Sequence, residues 1–154
     1  MTAPVSALAR KWRLDIDTSP AKDGSSWVQV KGIQSLTPKI DPNMEDDSDY
    51  DSGGWGSDAK TGQKWSVEAK IIRKYTGSNV YDAGQEALRA AGEAFGTANQ
   101  VHIRWYDRND GPEAYEGSAA VSWSPDGGSG TDLEIVTVTM AGQGTRTLLS
   151  PNPA

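Results

Sequence analysis

The chain has 154 residues, with 21 acids against 15 bases, a formal charge of −6, one histidine and no cysteine. That length suits a single domain whose core is large enough to fold without metal or disulfide staples. The missing cysteine excludes disulfides, thiolate zinc sites and a cysteine nucleophile, the lone His102 excludes a multi-histidine metal cluster, and the acidic balance argues against a grip on nucleic acid, which needs a basic footprint.

Residues 1–10 are small and alanine-rich with no period, and are expected to form an arm. The opening lacks the apolar stretch of a signal peptide, and no segment reaches the ~18–20 apolar residues of a membrane helix, so the expectation is a chain that stays in the cytoplasm where it is made. Residues 11–17 alternate, with Trp12, Leu14 and Ile16 on one side and Arg13, Asp15 and Asp17 on the other, which predicts a half-buried strand. A turn over Ser19–Ser25 leads to a strand over 27–37, with Gly32 as a bulge or bend. Residues 41–62 carry Asp41, Glu45, Asp46, Asp47, Asp49, Asp51 and Asp58 with no base before Lys60, and they read as a long loop; loops of that length in a compact domain are usually functional.

Residues 64–74 are the best strand pattern, with Trp65, Val67, Ala69 and Ile71 facing one way. Residues 82–95 give the one good helix: Asp82 is an N-cap, Ala87, Leu88, Ala91 and Phe95 share a stripe, and Gly96 stops it. Residues 101–108 and 114–123 alternate around the turn Asn109-Asp110-Gly111-Pro112 and predict a hairpin. A further strand covers 132–140, with 145–149 as its extension, and the tail 150–154, with two prolines, is expected to be an arm. Six or seven strands and one helix make a mainly β domain over 11–149, a β-sandwich or half-barrel with one flanking α-helix.

Catalytic chemistry finds little support. His102 lies on the outer phase of a strand, where a solvated surface residue is expected, and no nucleophile elbow accompanies it. The acid pairs Asp15/Asp17 and Glu113/Glu116 read as a solvated face. The run Asp47-Ser48-Asp49-Tyr50-Asp51 with Asp58 imitates a calcium loop, but Ser52 stands where glycine is needed and Asp58 where a bidentate glutamate is needed. No catalytic residue, metal ligand or cofactor is therefore assigned. Trp12, Trp65, Trp105 and Trp123 fall in strand phases and are expected in the core. Trp55, between glycines in the acidic loop, has little to pack on within its own domain and suits an interface anchor or a sugar-stacking ring.

The order WVQVKGIQSLTPKI, then DDSDYDSGGWGSDAKTGQKW, then a strand, a helix and three strands resembles the major tail tube protein family of long-tailed bacteriophages over residues 11–140. That resemblance implies a β-sandwich with a flanking helix that completes a barrel by ring oligomerisation. It also implies hexameric rings stacked into a hollow virion tube for genome passage, assembled in the host cytoplasm. Expected partners are copies of itself, tape measure, distal tail and terminator proteins, and viral DNA in transit without specific binding; no membrane is involved. By the same analogy residues 41–62 bridge neighbouring subunits, with Asp46, Asp47, Asp49, Tyr50, Asp51 and Trp55 as the contact residues. Since a wall that lets DNA slide should not hold phosphates, Asp15, Asp17, Glu68, Glu116 and Glu134 are candidate acids facing an anionic bore. The alternatives are a tube subunit of a contractile injection system and a carbohydrate-binding β-sandwich.

Overall fold

The computed structural model describes residues 2–154, so the arm expected over 1–10 is seen from Thr2 onward. Its strands are β1 (Trp12–Asp17), β2 (Trp27–Gln29), β3 (Ile33–Asp46), β4 (Asp58–Ile72), β5 (Tyr75–Thr76), β6 (Val80–Tyr81), β7 (Gln100–Asp107), β8 (Ala114–Pro125), β9 (Ile135–Gly142) and β10 (Thr147–Leu148), with one α-helix, α1 (Ala83–Gly92). The main sheet runs β2-β1-β7-β8-β9-β4-β3, with β10 beside β8, and each of its pairs is antiparallel. β5 and β6 make a separate small hairpin.

The two ends of this sheet belong to one stretch of chain. Val30 N donates to Leu14 O (2.9 Å) in β1, and Ile72 N at the end of β4 donates to Gly32 O (2.8 Å). Two residues thus turn the corner between the first strand pair and the last, and the sheet closes at that end into a half-barrel. Gly32 makes the corner with φ +78, and a Cβ there would lie 2.7 Å from both Ile72 O and Gln85 Nε2. Both the left-handed backbone and the close approach demand glycine. No ladder joins β1 to β3 farther along, so the opposite end stays open.

Alternating residues fill the enclosed space: Leu14 and Ile16, Trp65 to Ile71, Val101 to Trp105, Ala119 and Val121, and Val136 to Met140, with Leu88 and Ala91 from α1. Asp82 caps α1 by accepting from Gln85 N, and it also accepts from Lys31 N (3.2 Å each). The buried Gln85 donates to Lys31 O (2.6 Å) and Ile72 O (3.1 Å), while Arg73 pairs with Glu86 at 2.6 Å. The helix is thereby fastened to the closed corner rather than held by its own propensity, which two glycines weaken.

Four sequence expectations are corrected. Residues 41–62 are largely strand: β3 runs to Asp46 and β4 starts at Asp58, leaving only 47–57 as a turn. Pro38 and Pro42 fit because β3 is an edge strand, and they remove donors that would otherwise invite indiscriminate pairing. The helix ends at Gly92, so Phe95 is 93% exposed rather than part of its packed stripe. The C-terminal tail is pinned, with Asn152 Nδ2 donating to Asp107 O (2.9 Å) and Gly111 O (2.8 Å). Residues 132–134 precede β9 and are not strand.

Candidate functional site

β3 and β4 pair from Ile33↔Ile71 out to Asp46↔Asp58, but β9 accompanies β4 only from Ser66 to Ile72. Residues 41–46 and 58–64 therefore leave the body as a two-stranded ribbon roughly 20 Å long, at about 3.3 Å per residue. Its residues are exposed apart from a half-buried Ala59. Beyond Ser66 only the β3–β4 ladder holds these residues, and a lone two-stranded ribbon is marginally stable in water.

The ribbon ends in an ordered tip. Asp47 N donates to Ser57 O (2.9 Å), and Tyr50–Ser52 form a 3-10 turn capped by Asp49, whose carboxylate accepts from Asp51 N (3.0 Å) while Ser52 Oγ accepts from Asp49 N (3.0 Å). Ser48 N donates to Asp46 (2.8 Å), and hydrogen bonds from Ser48 hold the Asp46 carboxyl below its ordinary range. The carboxylates of Asp47 and Asp51 have no hydrogen bond or ion pair among the described residues. Tyr50 is fully exposed and Trp55 is 80% exposed. The structure thus brings together the six residues singled out in the acidic segment. Asp49 is occupied by its own turn, and among the described residues no three acid or histidine side chains converge as a metal site.

At the ribbon's root the open end of the half-barrel forms a cleft of about 740 Å³, lined by Ile40, Trp65, Gly142, Gly144 and Arg146 among others. Trp65 lies under Gly142 and Gly117, where a Cβ would clash with the indole, and its Nε1 donates to Gly144 O (3.0 Å). Arg146 lies with its guanidinium carbon 4.0 Å from the Tyr115 ring centroid. Sequence reasoning missed Arg146, because an isolated arginine in a glycine- and threonine-rich stretch carries no periodic signal.

The five acids expected to face a bore do not share a surface. Asp15 is fully buried, where it binds Arg13 Nε and Arg104 Nε (2.9 Å each). Asp17 is 5% exposed and accepts from Ser19 N (2.9 Å), Gly24 N (2.6 Å) and Ser26 N (3.3 Å). Burial pushes the Asp17 carboxyl up, but these backbone donors outweigh it and hold it below the ordinary range. Neither presents a free charge outward, because the Arg13, Arg104 and Tyr106 side chains surround Asp15 and the 18–26 turn wraps Asp17. Glu116 is half-buried, and His102 sits 3.9 Å from it and 3.7 Å from Asp17. His102 is half-buried too, against Trp27 (5.1 Å between centroids), and not the solvated residue expected. Glu134 is exposed but off the strands, and Glu68 stands on the open face of β4.

That open face spans β8, β9, β4 and β3 and is made of short hydroxylated side chains such as Ser122, Thr139, Ser66 and Thr37. Of its lysines, Lys39 lies 3.4 Å from Asp41 and Lys70 lies 3.9 Å from Asp126, while Lys64 stands opposite Asp41 in the ladder and has no ion pair among the described residues; Glu68 is a further acid on this face.

No protein-family model matches the chain, and no curated protein is similar to it. Solved structures are. A protein from the tail of an empty gene transfer agent particle, refined with C6 symmetry, aligns at a TM-score of 0.73 with 13% identity, over 94% of this chain and 100% of that one. A protein of the native gene transfer agent virion aligns at 0.70 with 13% identity over the same shares. The SPP1 tail tube protein aligns at 0.67 with 15% identity, over 94% of this chain and 80% of that one. The chain has the tail tube fold, and the likeness read from the sequence holds at the level of fold.

Proposed function

We propose that this chain is a non-enzymatic structural subunit of a phage-type tail tube, assembling with copies of itself into stacked hexameric rings around a hollow bore for genome passage. The observation that carries this reading is the ribbon: a two-stranded extension with free edges and an ordered, acidic, aromatic tip has no use in a solitary monomer. Free edges and exposed anchors become buried once copies pair side by side and rings stack. The fold shared with proteins of tail and virion assemblies supports it.

The bore wall in this reading is the open face of β8, β9, β4 and β3. Short hydroxyls and charge-matched lysines give sliding DNA no row of free cations to bind, and little net attraction through counterion release. The wall is balanced rather than strongly anionic, since Asp15 and Asp17 are buried elsewhere. Tape measure, distal tail and terminator proteins are the expected further partners, and the virion the expected location. No observation favours a carbohydrate-binding module, and Trp55 lines neither of the two clefts at the open end.

Cryo-electron microscopy of the purified, concentrated protein tests this. The expected result is hollow rods of stacked rings with Thr137, Thr139 and Glu68 on the bore. A protein that stays monomeric at high concentration, and that no partner protein converts into rods, would overturn it.

A further inference from the structure

The cleft at the ribbon's root holds an unused cation. Arg146 is half-buried, its guanidinium donates no hydrogen bond, and no carboxylate lies within ion-pair distance of it among the described residues. The acids that line this cleft and the smaller one beside it are already taken: Asp41 pairs with Lys39 at 3.4 Å, and Glu113 with Lys11 at 2.7 Å. Arginine held over an aromatic ring keeps N–H donors available for a carboxylate, and less rotamer entropy remains to be lost on binding. At the other end of the ribbon, Asp47 and Asp51 carry free carboxylates beside the exposed rings of Tyr50 and Trp55.

We infer that the occupant of the Arg146 cleft is the ribbon tip of a second copy. Asp47 or Asp51 reaches the guanidinium, and Trp55 packs toward Ile40 and Trp65. This rests on the tube reading and deepens it by naming the receptor. Tip and cleft are different surfaces at opposite ends of one ribbon, so the contact is head-to-tail and leaves a free tip and a free cleft on every pair. Such contacts propagate instead of closing. The ribbon's length of roughly 20 Å then sets the scale of the step from one copy to the next.

The test is a charge exchange in the full chain. Arg146→Glu alone, and Asp47→Arg/Asp51→Arg alone, should each raise the concentration needed for rods about tenfold or more, while circular dichroism and the unfolding midpoint show a folded protein. Mixing the two variants restores complementary pairs and should restore rods. Arg146→Ala, which introduces no repulsion, should weaken rod growth less than Arg146→Glu does. Variants that form rods as readily as the parent overturn the inference and leave the tube reading standing; so does a folded mixture that stays inactive. A parent that never forms rods, alone or with partner proteins, overturns the tube reading itself. A parent that forms closed dimers, each tip in the other's cleft, overturns the head-to-tail assignment.

Discussion

A buried carboxylate on the outer phase of a strand changes what that strand can do. Asp17 serves as the acceptor that organises the turn between β1 and β2, taking three backbone donors. Its folded-state pKa lies below the unfolded value of about 3.9, so its contribution is fully present above that pH and is lost as pH falls through the folded pKa. Urea midpoints measured from pH 5 to pH 2 should therefore drop more steeply for the parent than for Asp17→Asn. At pH 7 the variant should be less stable by roughly 1–3 kcal/mol, the usual result of leaving buried donors short of an acceptor. Equal acid sensitivity in both proteins would show that Asp17 is not the group responsible. The sequence pattern placed Asp15 and Asp17 on the correct phase of β1, opposite Leu14 and Ile16. What it could not carry is that Arg104, aligned with Asp15 only through the ladder to β7, and a local turn would cover that second phase.

Strands with one apolar face were legible, because the core writes a period of two into them: β1, the inner half of β4, β7, β8 and β9 all show it. The ribbon halves 41–46 and 58–64 bury neither face, so no apolar alternation marks them, and their acids and glycines imitate a loop. The same limit hid the cleft, whose shape depends on glycines set against one indole. Gly142 on β9 and Gly117 on β8 admit the Trp65 ring, which crosses from β4 and in turn meets Trp105 at 5.1 Å between centroids. Gly142→Ala places a methyl group inside the indole's space, so either the ring or β9 must shift. Overpacking of this kind costs about 1–3 kcal/mol. Urea unfolding should show that loss, with a red-shifted tryptophan emission as Trp65 is pushed toward the open cleft. A variant with parental stability and emission would mean that the strands separate freely there.

For the molecule as a whole, the core and the ribbon are separable in energetic terms. The half-barrel is closed by the Gly32 corner, fastened by α1, and filled by side chains from five strands, whereas residues 47–57 bury no side chain. Replacing 47–57 by a short Gly-Ser turn between Asp46 and Asp58 removes the exposed Tyr50 and Trp55 and the free acids, and touches nothing in the core. Surface changes of this kind fall within about 0.5 kcal/mol, so the unfolding midpoint should stay close to the parent's. Rods should disappear, because the part that enters the next copy is gone while side-by-side pairing of strands remains; single rings are the expected product. Sedimentation velocity separates rings from rods and monomers, and rods of parental length from the shortened chain would show that stacking proceeds through some other surface. The ribbon would then be an ornament of a tube held together by its rings' flat faces.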